Sequence, residues 1–152
     1  MQKDELLALA ERVEALSGPD READARIAVV IRYAYNAAPF VDLEACQSVT
    51  DEDEWNVICR VNGQKTDRYS PPRYTASLDA AMSLVPCKSD NEVGFSFWPQ
   101  HRAAPTAGLI KCQLWHIDGF QNYAPGGVPE ATAGTHILAL CAAALRALAG
   151  GE

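Results

Sequence analysis

The sequence predicts an α+β layered domain. Segments with helical periodicity stand at both ends of the chain, and strand-like runs cluster in the middle. Two of the links between strands are too short for a helical crossover, so the strands pair largely antiparallel. The length of 152 residues fits one domain, 1–152. A chain of that size buries about two-thirds of the surface it exposes when unfolded, enough for one core without staples.

The opening segment has Leu6, Leu9, Val13 and Leu16 at spacings of three and four, the stripe of an amphipathic helix. Ser17-Gly18-Pro19 stops it, and Asp20 is a natural N-cap for a second helix with Ala23, Ile27, Val30 or Ile31, and Ala34 on its inner face. The two form an αα-hairpin over 3–36. Residues 42–54 carry six acids and no base; the following run Trp55-Asn56-Val57-Ile58-Cys59-Arg60-Val61 is β-branched enough for a strand, and Asn62-Gly63 reads as a turn. Over 60–73 the sign reverses, with Arg60, Lys65, Arg68 and Arg73 against Asp67.

Ser77 caps a short helix in which Leu78 and Met82 pack, ended by Pro86. After a polar turn over 88–92, Val93–Trp98 alternates as a half-buried strand, and 109–117 is another; central strands and helix thus span 55–117. A long loop with Gly126-Gly127 leads to Thr135, which caps a final helix over 135–149 so rich in Ala and Leu that it packs closely.

Composition narrows the function classes. Apolar residues make up 48% and charged residues 22%, ordinary for a globular protein, and 13 Lys+Arg against 20 Asp+Glu leave a net charge of −7. That charge argues against nucleic acid as a partner. No apolar run reaches the ~20 residues of a membrane helix, and Met-Gln-Lys-Asp-Glu does not open a signal sequence. The expectation is a soluble intracellular protein. Its five cysteines are scattered without a C-x-x-C pair, which points to buried thiols rather than disulfides or a metal.

No catalytic constellation emerges. Cys112 and His116 fall on one face of a strand but two pleats apart, roughly 7 Å, long for a nucleophile and its base. His101, His116 and His136 lack metal-ligand spacing, and neither a nucleophile elbow nor a phosphate loop is present. The reading is non-enzymatic, with no cofactor and no metal.

Three stretches resemble a known family when taken together: Gly18-Pro19-Asp20-Arg21-Glu22, Pro72 through Pro86, and Ala139 through Ala147. Their order and spacing are similar to the phage ABA sandwich domain, a family of small phage and prophage proteins. The resemblance spans most of the chain and is weakest over 93–130. It implies a three-layer α/β/α sandwich with a small, largely antiparallel sheet, in a phage-encoded protein, and it brings no catalytic motif.

Aromatic and arginine side chains supply the material for binding. Arg68 with Tyr69, Arg73 with Tyr74, and Arg102 near Trp98 place guanidinium forks beside ring faces, a pairing suited to phosphate and base. Trp115, His116 and the capping Thr135 extend the candidate set, the last because a helix N-terminus favours anions. With the phage setting, this suggests a counter-defence sponge in the cytoplasm of the infected bacterial host. Such a protein sequesters a nucleotide-derived immune signal, a cyclic ADP-ribose variant or cyclic oligonucleotide, without turnover. Exposed Ala-rich helix faces would allow a homo-oligomer. The alternatives are a virion-accessory or host-protein-binding module with no small ligand, and a hydrolase of the signal.

Overall fold

A computed structural model describes residues 3–35, 38–86, 93–99, 109–116 and 130–150. Arg102, the turn expected over 88–92, Cys87, His101 and the Gly126-Gly127 loop lie outside the described residues. Within them are four helices and six strands.

Helix α1 (Lys3–Glu14) buries Leu6, Leu9, Ala10 and Val13, the expected stripe. Asp20 caps α2 (Arg21–Val30) by accepting from the backbone N–H of Glu22 and Ala23 at 2.9 and 3.2 Å. The hairpin is shorter than 3–36, and Ala34 does not face inward. Beyond Val30 the chain enters the left-handed region at Arg32 (φ 54°) and Ala34 (φ 65°), and Ala34 is exposed. Arg32 holds this turn by donating to the carbonyls of Ala38 and Val41 at 2.9 and 2.6 Å. Those bonds redirect the chain into the first strand.

Strands β1 (Asp42–Gln47), β2 (Trp55–Val61) and β3 (Gln64–Tyr69) form an antiparallel meander with β2 in the centre. β2 has the expected bounds. Asn62 (φ 52°) and Gly63 (φ 79°) make the tight turn, both left-handed as a two-residue hairpin of the favoured twist requires. β1 and β3 lie in stretches valued above only for their charge. Neither has a strong apolar alternation, and the first five residues of β3 are all exposed. Pairing with β2 makes them strands.

Helix α3 (Leu78–Ser83) begins at Ser77, whose hydroxyl accepts from the Ala80 N–H. Leu78 and Met82 do not pack as expected: each is 43% exposed, while Ala81 and Leu84 face the core. A helix of six residues buries one narrow face, and here the small side chain fills it.

The second meander comprises β4 (Val93–Pro99), β5 (Ile110–His116) and β6 (Glu130–Ala133), again antiparallel. β6 falls within the segment read as loop; its four residues are too few for periodicity, yet Ala131 and Ala133 are buried. Cys112 and Leu114 share the buried face of β5, as strand alternation predicts.

Helix α4 (His136–Gly150) starts at Thr135, whose hydroxyl accepts from the Leu138 N–H at 3.1 Å. Every residue from Leu138 to Leu145 is buried, so the helix is apolar all round and lies inside the protein. Its alanine faces are therefore occupied within the chain and not free for self-association.

The fold is α+β, as expected, with its strands in two antiparallel sheets where a single small sheet was anticipated. α2 packs on β1 and β2, α4 on β5 and β6, and α1 joins α4 to α2. Contacts thus run from the first sheet through the helices to the second. Glu14 reinforces this join: it accepts from the Thr132 N–H at 2.9 Å and pairs with Arg146, which also donates to the Glu130 carbonyl at 3.0 Å. Among the described residues no helix is long and apolar enough to cross a membrane.

Candidate functional site

Of the nine residues expected to bind a ligand, seven lie on or beside strands of the two sheets. Arg68 and Tyr69 end β3, and Arg73 and Tyr74 follow it; Trp98 lies on β4, while Trp115 and His116 end β5. In backbone register Trp98 stands opposite Lys111, Trp115 opposite Gly94 and His116 opposite Val93. Thr135 is committed to capping α4. Arg102 lies outside the described residues. The first group thus belongs to one sheet and the second to the other, and the sheets are joined through helices.

The arginine–aromatic neighbours of the first group also separate. Tyr69 stands opposite the buried Val57 and packs against the core; Arg68 stands opposite Ile58 and is exposed, because consecutive strand residues point to opposite faces. Arg73 is exposed, 3.7 Å from Glu54, whereas Tyr74 is fully buried and offers no ring face to a ligand. Burial, above all, raises the Tyr74 pKa, and its hydroxyl has no hydrogen-bond partner among the described residues.

The polar residues that pull Tyr74 inward are Asp24 and Thr75, both buried. Thr75 donates its backbone N–H and its hydroxyl to Asp24 Oδ1 at 2.8 and 2.9 Å, and Arg21 meets Oδ2 at 2.8 Å. Arg21 also donates to Ser70 Oγ and to the Pro71 carbonyl, each at 3.0 Å. The start of α2 is thereby bonded to the chain leaving β3. Desolvation raises the Asp24 pKa against the opposing pull of Thr75 and Arg21. Neither Asp24 nor Thr75 was singled out in the sequence, where nothing marks an acid in the first turn of a helix as buried.

What the fold does bring together is a tyrosine corner. The Tyr69 ring lies 5.8 Å from Tyr33, tilted by 48°, and 6.1 Å from Tyr35, stacked at 24°. Tyr69 Oη donates to the Tyr33 carbonyl at 3.1 Å, and Tyr35 Oη to Asp67 at 3.3 Å. Tyr33 is 44% exposed. The Tyr35 pKa is pushed up to about 12, chiefly by a hydrogen bond with Cys59 and then by burial and the Cys59 and Asp67 charges. Burial also raises that of Tyr69. The left-handed Arg32 and Ala34 flank Tyr33, a conformation that costs a non-glycine residue about 1–2 kcal/mol. Of these three tyrosines only Tyr69 was in the expected set. The signal for the others is the Tyr33-Ala34-Tyr35 spacing just past the α2 periodicity.

Two open clefts among the described residues lie elsewhere, and neither is lined by any of the expected residues. The larger, about 670 Å³, runs between the α1–α2 link and the β1–β2 turn, past Trp55, Asp20, Glu22, Glu52 and Asp53. Arg12 pairs with Glu22 at 2.9 Å and Asp20 at 3.6 Å; Arg26 pairs with Glu22 at 2.8 Å and sits 6.0 Å from the Trp55 ring centre. The cations near this cleft are already neutralised, and its remaining carboxylates repel phosphate. The second, about 530 Å³, lies between α1, α2 and β1 over Leu9, Val29, Val30 and Ala45.

Cys59, Cys112 and Cys141 are buried thiols, and burial pushes the Cys112 pKa up to about 12. Such a thiol is a poor nucleophile, since the thiolate is the reactive form. Among the described residues no three His, Cys, Asp or Glu side chains cluster to hold a metal.

Comparisons with protein-family models, curated proteins and solved structures find no match to this chain.

Proposed function

We propose that the chain is a binding module that docks a protein partner on the corner of Tyr33, Tyr35 and Tyr69 and does not transform it. The observation that carries this reading is the corner itself: three tyrosines gathered at the surface, with two left-handed non-glycine residues flanking the most exposed ring. Strained backbone concentrates at functional positions, and tyrosine anchors interfaces because its large rigid ring loses little entropy on contact. Tyr33 presents its ring at the surface, which suits a macromolecule. The resemblance to the phage ABA sandwich domain supports the setting: a phage accessory or host-protein-binding factor acting in the cytoplasm of an infected bacterium.

One observation favours sequestration of a nucleotide signal as the second reading. Lys65 and Arg68 on β3 are exposed and make no ion pair among the described residues, which leaves two cations for a phosphate.

The test compares immobilised wild-type protein with Tyr33→Ala, both exposed to bacterial host lysate. Retained proteins are identified by mass spectrometry, and the heated eluate is searched for intact nucleotides. A protein held by the wild type and lost by Tyr33→Ala supports the docking reading. Intact nucleotide released on heating, with no such protein, replaces it with sequestration. Equal retention by both proteins removes the corner from consideration.

A further inference from the structure

We infer that the outer edge of β3 receives an extended acidic segment of the docked protein as an added strand, an inference that rests on the docking reading above. β3 is an edge strand of six residues, and no strand pairs with its outer side among the described residues. Alternate backbone N–H and C=O groups of an edge strand point outward, where an incoming strand can pair with them. Gln64 to Arg68 are all exposed, and of their backbone donors the Arg68 N–H is held by Asp67 Oδ1 at 2.7 Å, a contact that an incoming strand would have to displace.

Charge selects the occupant. The protein carries a net charge of −7, and among the described residues six other arginines (Arg12, Arg21, Arg26, Arg60, Arg73 and Arg146) each pair with a carboxylate. Lys65 and Arg68 make no such pair among the described residues, although the chain has carboxylates in surplus. Unpaired cations on an edge repel basic strands and discourage apolar ones; an acidic strand neutralises them. The opposite edge, β1, carries the exposed Asp42 and no Lys or Arg, so it offers the same ligand no partner charge. The tyrosine corner stands at the C-terminal end of β3, where Tyr35 bonds Asp67 and Tyr69 bonds the Tyr33 carbonyl. It ends the groove with an aromatic wall for a side chain of the incoming strand.

The experiment titrates the ¹⁵N-labelled full chain with a capped ten-residue peptide of alternating Glu and Val, and with a Lys/Val peptide of the same length. The inference expects saturable amide shifts over Gln64–Tyr69 with the acidic peptide only, weakened at least tenfold by Lys65→Glu/Arg68→Glu and by high salt. Shifts confined to the acidic cleft, no saturable shift, or equal binding of the Lys/Val peptide overturn it. Shifts of both β1 and β3 that depend on protein concentration without peptide assign the edge to a second copy and likewise overturn it. A partner retained through Tyr33 while the β3 amides stay silent defeats strand addition and leaves docking standing. Peptide binding at β3 without Tyr33-dependent retention defeats docking at the corner.

Discussion

Thr75 bonds Asp24 twice, through its backbone N–H at 2.8 Å and its hydroxyl at 2.9 Å, both to the same carboxylate oxygen. The two residues are 51 positions apart, and both are buried. Thr75 Oγ1 also accepts the Asp20 N–H at 2.9 Å, so one threonine serves the cap of α2 and its first turn. This gives Thr75 a structural role.

Asp24→Ala is expected to destabilise the protein by about 3 kcal/mol, because it leaves the largely buried Arg21 without its closest carboxylate. Thr75→Val is expected to cost about 1–3 kcal/mol, because it removes one of the hydrogen bonds to Asp24 and leaves the Asp20 N–H without its acceptor. Urea midpoints for the two variants and the double variant check this. Fully additive losses would contradict a shared network.

Asp24 and Glu22 act in opposite directions as pH changes. Glu22 is held below its ordinary pKa, chiefly by its hydrogen bond with Arg12 and then Arg26. Its stabilisation is present above the unfolded value of about 4.3 and is lost as pH falls through the lower folded value. Asp24 is raised by burial, so its contribution is present below about 3.9 and is lost as pH rises through the folded value. Between pH 6 and pH 3, Glu22→Gln should lose less stability than wild type and Asp24→Asn should lose more. Denaturant curves at the two pH values decide it.

The tyrosines should titrate late. Tyr35 is pushed up from 10.0 to about 12, and Tyr69 and Tyr74 are raised too. The neutral Tyr35 therefore stabilises the fold below about pH 10, and this contribution is lost as pH rises through about 12. Tyrosinate absorbance of the folded protein at pH 11 should be well short of that in denaturant. Coincident titration curves would refute the hydrogen-bonded corner.

Ala34→Gly is expected to stabilise the protein by about 0.5–1 kcal/mol. Relief of a left-handed alanine gains about 1–2 kcal/mol, and the added freedom of glycine in the unfolded chain takes back part. Ala34 is exposed, so no packing is lost. Thermal midpoints measure the change, and a destabilised variant would mean that the alanine is unstrained.

Ala142→Leu should cost about 1–3 kcal/mol through overpacking, since Ala142 is fully buried on α4. Met82→Gln on the exposed face of α3 should change stability by less than about 0.5 kcal/mol. Calorimetry on both variants separates an interior α4 from an interfacial one: an interfacial alanine would leave the monomer's stability unchanged.

Elements with local signals were legible from the residues alone. The stripe of α1, the caps at Asp20, Ser77 and Thr135, the Asn62-Gly63 turn and the bounds of β2 each depend on residues within a few positions of one another. β1, β3 and β6 were not legible, because their strand character comes from partners across the sheet rather than from their own alternation. The candidate site divided in the same way. Tyr69 could be found as an aromatic beside a base, but its meeting with Tyr33 and Tyr35 depends on where the chain turns after α2.

By itself, then, the sequence determined the α+β class, the antiparallel pairing, the helix caps and a closely packed C-terminal helix. Periodicity, turn geometry and capping act over distances that short peptide segments already span. Only the tertiary structure decided that the strands form two sheets, that Tyr74 is buried while Arg73 is not, and that α4 is enclosed on all sides. Burial belongs to whatever packs against a residue, and for Tyr74 that is set by Asp24, half a hundred residues away, gripping its neighbour Thr75.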